Sequence, residues 1–437
     1  MKKIIILLSF ISFNFIFAQQ TPAKNQTQDI LIHNAFIHIG NGTLIENGTL
    51  VFSEGQIKYV GNNISKEDVF PLLLSEKKIK TIDANGRHIY PGFIAINSTL
   101  GLVEIDAVRA SDDEDEIGEF LPHIRSAIAY NAESKVVESV RPNGVLIAQI
   151  TPRGGTISGS SSVMQLDAWN WEDALIKTDE GIHMNWPSPY SRGRWWLGED
   201  PSLKENKDYL KSIYLIESFF NQAKVYSDQK PKHLPYSSMK GVFDGSKTLY
   251  LHASYQKQIV DGIDFLKEQG VKKIVLVNAE ESINLIDYLK NNNISVIISR
   301  PHRLPDNEDQ DPKFTFKTAS KLIKGGLIVS IDPSGQMERM NTRNLPFYAG
   351  SFAAYGLEKE VALKMITLYP AKILGLDHKL GTLEVGKDAT LFISEGDALD
   401  MRTNILSHAF INGREISLET HQTKLWKRYS KKFTDIK

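Results

Sequence analysis

The chain has 437 residues, 41% of them hydrophobic and 24% charged, and a formal net charge of −1. That balance gives no overall electrostatic case for nucleic acid or anionic lipid as a partner. No cysteine is present, which excludes thiol nucleophiles, thiolate–zinc sites and disulfides. Lys2 and Lys3 precede an apolar run, 4–17, broken only by Ser and Asn; Ala18 and the polar Gln19, Gln20 and Thr21 follow. A basic start, a run too short to span a bilayer comfortably and a small residue predict a signal peptide, 1–18, and an exported protein, periplasmic or extracellular at the cell surface. An uncleaved anchor is the alternative. No later segment approaches membrane length, so no membrane span is expected after cleavage.

Short strands are expected over 29–60. Gly40-Asn41-Gly42 marks a turn, and Ser53-Glu54-Gly55 a hairpin between 49–52 and 56–60. A further strand, 88–96, passes through Pro91-Gly92. From 247 onward the spacing predicts strands at 247–253, 272–279, 294–299 and 327–332. Helices are expected between them at 256–269, 281–291 and 318–324, with Ile259, Ile263 and Leu266 on one face of the first. Such alternation implies βα units and a parallel sheet. Two helical stretches, 345–356 and 358–368, precede strands at 389–394 and 408–416. The tail, 417–437, is polar and basic with Leu425, Trp426 and Tyr429 as anchors.

Three stretches resemble the amidohydrolase superfamily, near its imidazolonepropionase-like branch. They are Ile30-Leu31-Ile32-His33-Asn34-Ala35 with 48–61; 81–94, containing Pro91-Gly92-Phe93-Ile94; and Ala371-Lys372-Ile373-Leu374-Gly375-Leu376 with 380–391. The resemblance implies an α/β fold: a distorted TIM-type (β/α)8 barrel plus a small composite β-sandwich domain built from both chain ends. The expected divisions are 19–90 and 370–416 for the composite domain and 91–369 for the barrel, with a Trp-rich insertion at 165–200. Catalysis is expected at the C-terminal ends of the barrel strands.

In that family the first barrel strand ends in His-x-His, and later strands add two histidines and an aspartate. These hold a divalent metal such as zinc, which activates water. Here Asn97 and Thr99 stand at the His-x-His positions, and Asn278 stands where the fourth histidine belongs. His252 and Asp332 match the third histidine and the aspartate, so three of five ligands are replaced. An amide and a hydroxyl are weak zinc ligands. His252 and Asp332 are therefore the candidate catalytic residues and an incomplete metal pair, with Asn97, Thr99, Asn278 and His302 as candidate substrate-binding groups. Each has a structural alternative: a packed strand-end histidine at 252, a turn-forming aspartate before Pro333, a loop histidine at 302.

The acidic run Asp112-Asp113-Glu114-Asp115-Glu116 lacks EF-hand spacing and reads as a solvated loop. Arg153-Gly154-Gly155 with Ser158-Gly159-Ser160-Ser161-Ser162 lacks the lysine of a phosphate loop and reads as a loop near the barrel mouth. Trp169, Trp171, Trp186, Trp195 and Trp196 form either a lid or a satellite core. Two functions compete: a hydrolase acting on a non-peptide carbon–nitrogen bond of a small molecule, or a catalytically inactive relative that binds a ligand or a partner. A third reading pairs the chain with itself or with an intact amidohydrolase.

Overall fold

The computed structural model describes residues 21–64, 66–69, 78–105, 107–227, 230–305, 310–335 and 338–434. The expected signal peptide lies outside the described residues. Among those described, no helix is long and apolar enough to cross a membrane.

Strands β1 (Asp29–His38), β2 (Leu44–Ser53), β3 (Gln56–Asn62), β4 (Ile79–Asp83) and β5 (His88–Pro91) open the chain. The stretch expected as one strand over 88–96 divides at Gly92, because β5 joins this first sheet while β6 (Phe93–Ser98) starts the barrel. A Cβ at Gly92 would lie 2.8 Å from Thr390 and 3.0 Å from Leu146. The chain therefore crosses between the two sheets where only glycine fits. Next come β7 (Val145–Ile150), β8 (Ile157–Gln165) and β9 (Leu175–Asn185), a hairpin of β10 (Tyr190–Arg192) and β11 (Leu203–Glu205), and then β12 (Thr248–Ala253), β13 (Ile274–Asn278), β14 (Ser295–Ser299) and β15 (Val329–Asp332). The chain returns to the first sheet with β16 (Leu391–Ser394), β17 (Leu406–Ile411) and β18 (Arg414–Glu415).

The first sheet has the order β18-β17-β16-β5-β1-β2-β3, with β4 also on β1. Both chain ends thus meet in one β unit. The sheet curls over its own core, so that Phe52 of β2 meets Phe410 of β17 edge to face at 5.0 Å. Ile32, Ile37, Leu50, Ile89, Leu391 and Ile393 are fully buried between them. A buried ion cluster fastens this unit to the barrel. The Asp167 carboxylate accepts from Arg141 at 2.7 Å, from Arg414 of β18 at 3.2 Å and from the Ala23 amide at 2.8 Å.

The second sheet, β6 to β15 without the β10–β11 hairpin, has eight strands, and β15 lies beside β6 to close a barrel. It departs from a regular (β/α)8 pattern at one place. β8 runs antiparallel to both β7 and β9, and no helix separates β7 from β8. This corrects two sequence expectations. The run Ser158-Gly159-Ser160-Ser161-Ser162 is barrel strand, not loop, and 165–200 is not an insertion throughout, since it contains β9. The four serines are buried, and hydrogen bonds such as Ser160 Oγ to Pro122 O (2.9 Å) offset the loss of water. Trp186 is core: its indole donates to Tyr209 Oη (3.1 Å) and packs on Phe265. Trp195 and Trp196, at the tip of the β10–β11 hairpin, are exposed.

Candidate functional site

The C-terminal ends of β6, β9, β12, β13 and β15 converge on one mouth. β6 carries a register shift between Ala95 and Ser98, with Asn97 in left-handed backbone (φ 54°). Asparagine tolerates that conformation, and the bulge re-aims its side chain across the closure of the barrel. Asn97 Nδ2 donates to Asp332 Oδ2 of β15 at 2.9 Å. The Ser334 amide and hydroxyl also donate to this carboxylate, at 2.7 and 2.6 Å, so both Asp332 oxygens are engaged and the residue is fully buried.

Arg153 completes this cluster, donating to Asn97 Oδ1 at 3.1 Å and to Asn97 O at 2.9 Å. It is placed by the segment 112–125, which crosses the mouth: the Arg153 amide donates to Glu114 O. The acidic run is thus a partly exposed loop ordered against the barrel.

On the opposite wall, Tyr250 and His252 lie two apart on β12 and share its inner face. His252 Nε2 is 3.0 Å from His183 Nδ1, and His183 Nε2 is 3.0 Å from Ser161 Oγ. Ser161 Oγ donates to Glu180 Oε1 (2.6 Å), as does Gln149 Nε2 (2.6 Å), and Tyr250 Oη donates to Oε2 (3.0 Å). Gln149 Oε1 accepts from the Asn97 amide at 2.8 Å. A continuous hydrogen-bonded chain therefore runs from Asp332 through Asn97, Gln149, Glu180, Ser161 and His183 to His252.

Burial governs the protonation of these groups. It pushes His252 down to about 3, with the Arg153 cation adding to the effect. His183 falls well below its ordinary value through burial, His252 and Arg153. Both imidazoles are neutral near pH 7. Burial raises the Glu180 carboxyl against the opposing hydrogen bonds of Ser161, Gln149 and Tyr250, and it raises Tyr250 well above its ordinary value.

The structure brings together Asn97, Asp332 and, through the chain above, His252. Thr99 is buried next to this cluster in sequence, its carbonyl accepting from the Leu102 amide. Asn278 ends β13 with φ 73°, followed by Ala279 at 54°; two successive left-handed residues without glycine mark strain at the mouth. His302 goes elsewhere: exposed, it bonds Ser351 Oγ at 2.9 Å and meets the Tyr348 ring edge-on. Its surroundings are those of a loop histidine, not of the His252–Asp332 cluster. Glu180, His183, Gln149, Ser161 and Tyr250 were not singled out in the sequence; β9's apolar frame around His183 was the available signal.

The metal expected from the resemblance does not fit these donors. The two histidines face each other at hydrogen-bonding distance, both oxygens of the aspartate accept hydrogen bonds from Asn97 or Ser334, and amide or hydroxyl groups stand at the other ligand positions. Among the described residues no three His, Asp or Glu side chains converge as a ligand set. Just beyond β12 and β13 lies a cleft of about 610 Å³, lined by Ser254, Tyr255, Glu280, Glu281, Arg192 and Arg303 among others. That size and position suit a small molecule.

Residues 233–417 match the amidohydrolase family. A 5'-deoxyadenosine deaminase of Methanobrevibacter smithii is 23% identical over 393 residues, spanning 81% of each chain. An amidohydrolase from Thermotoga maritima superposes with a TM-score of 0.73 at 22% identity, over 88% of this chain and 99% of that one. An adenosine deaminase from Xanthomonas campestris with bound zinc gives 0.54 at 13% identity, over 94% and 99%.

Proposed function

We propose that this chain, whose residues 233–417 match the amidohydrolase family, is a divergent member of that superfamily and that its barrel mouth hydrolyses a non-peptide carbon–nitrogen bond of a small molecule. The carrying observation is the Asp332–Asn97–Arg153 cluster at the closure of the barrel. Asp332 is the group that takes a proton from attacking water. Arg153, with Asn97, supplies fixed positive charge and a donor where negative charge develops on the substrate. His252, neutral near pH 7, orients substrate or relays a proton through His183 rather than acting as a cationic acid. The deaminases among the relatives support a substrate whose leaving group is an amine or ammonia.

A second reading is favoured by the hydrogen bonds that both Asp332 oxygens already accept. A carboxylate already accepting three hydrogen bonds is a poor base, and the same cluster then serves to bind a ligand without turnover. Ammonia release from 5'-deoxyadenosine, adenosine and a panel of cyclic amides, compared between the protein and Asp332→Asn, separates the two. Turnover lost by at least about a hundredfold in the variant supports hydrolysis. Binding of a panel member without turnover supports the second reading.

A further inference from the structure

The near-zero net charge of the chain conceals a local concentration at its C-terminal helix, His421–Thr434. Between 420 and 434 the sequence carries Lys424, Lys427, Arg428, Lys431 and Lys432 and no acidic residue. At about 100° per residue, these five cations occupy one broad face. Leu425, Trp426, Tyr429 and Phe433 occupy the other, within an arc of about 100°. The apolar face packs on little of the protein: Trp426 is 70% exposed, Tyr429 58% and Phe433 67%. Attachment is at the helix's first residue, where the His421 amide donates to Glu138 Oε1 at 2.6 Å. Glu419, one turn before the cations, pairs with Lys427 and Lys424, and the side chains of Arg428, Lys431 and Lys432 are exposed. A 14-residue helix with bare aromatic side chains is marginal in water and gains stability from a cover.

We propose that this helix seats the protein on an anionic lipid bilayer, aromatic face in the headgroup boundary and cationic face toward lipid phosphates. Charge complementarity selects this occupant: five cations with no acidic residue between 420 and 434 match anionic lipid phosphates, whereas a second copy of the helix presents charge of the same sign. Low net hydrophobicity, aromatic side chains on one face and Lys/Arg on the other are the features of a helix that lies in a membrane interface. Long Lys and Arg stems at the border of the two faces let the apolar side sink while the charges stay wet.

The test is flotation of the full-length purified protein with phosphatidylcholine vesicles, alone or containing one third phosphatidylglycerol. The anionic vesicles carry the protein up, salt releases it, and neutral vesicles leave it behind. Arg428→Gln with Lys432→Gln lowers the partition coefficient by about 25-fold, from about fivefold per cation. Trp426→Ala with Phe433→Ala also abolishes flotation, while an unchanged thermal unfolding midpoint shows that the barrel is intact. Equal flotation with neutral vesicles overturns the proposal. So does a concentration-dependent dimer in sedimentation that Trp426→Ala dissolves, which would make a second copy the occupant.

Discussion

Acidification should destabilise this protein through the pair of buried His183 and half-buried His252. An unfolded histidine titrates near 6.5, whereas His252 in the fold is pushed down to about 3 and His183 lies well below its ordinary value. Between these values the unfolded chain binds protons that the folded chain refuses, so stability falls as pH falls. From pH 7 to pH 5 His252 costs about 2 kcal/mol, and His183, held below its ordinary value, adds to that loss. Glu180 acts with the opposite sign. Its carboxyl is raised in the fold, so its contribution is present at low pH and is lost as pH rises through the raised value. Urea unfolding at pH 7 and pH 5, on the protein and on His183→Gln/His252→Asn, isolates the histidine part, because the Glu180 offset is common to both. The variant should lose at least about 2 kcal/mol less on acidification. Equal losses in the two proteins would show that the pair is already charged or solvated, and would refute the burial argument.

Three further outcomes follow from the geometry. Asp167→Ala leaves the guanidinium groups of Arg141 and Arg414 without their shared carboxylate, and should cost about 3–5 kcal/mol in denaturant unfolding. Gly181→Ala places a Cβ 2.2 Å from the Tyr250 ring; overpacking there should cost about 1–3 kcal/mol and weaken the Tyr250–Glu180 bond. A retained melting temperature would show that β9 can shift. Arg153→Gln removes the cation that lowers His252, so the His252 imidazole should titrate at higher pH by NMR. An unchanged titration would place the guanidinium too far away to matter.

The parts of the fold legible in the sequence are those where hydrophobic period and turn chemistry agree. β12 to β15 and the intervening helix Gln256–Glu268 follow from β-branched runs and a 3.6-residue stripe. The meeting of both chain ends in one sheet followed from the β-rich segments that flank the βα core at either end, and the resemblance agreed with it. β8 was illegible because a run of serines around Gly159 satisfies itself inside the barrel, and hydrogen bonding there overrides propensity. The helix 281–291 is broken in the structure into a 3-10 turn, Ser282–Asn284, and Ile286–Asn291. The tail from 417, read as polar and basic with Leu425, Trp426 and Tyr429 as anchors, contains a helix, His421–Thr434, on which these three side chains are exposed. Of the site, Asn97, His252 and Asp332 were identifiable by position at strand ends. Glu180, Ser161 and His183 were not, because they come together only when the reversed strand β8 lies between β7 and β9.

The central claim is that the mouth works through Asp332, Asn97, Arg153 and His252 without a tightly held transition metal. Elemental analysis of the dialysed protein after exposure to zinc and manganese tests it most directly. The expected metal content is far below one equivalent and unchanged by His252→Ala. One retained equivalent that His252→Ala or Asp332→Ala releases would contradict it, and would show that the His183–His252 pair opens to hold the ion.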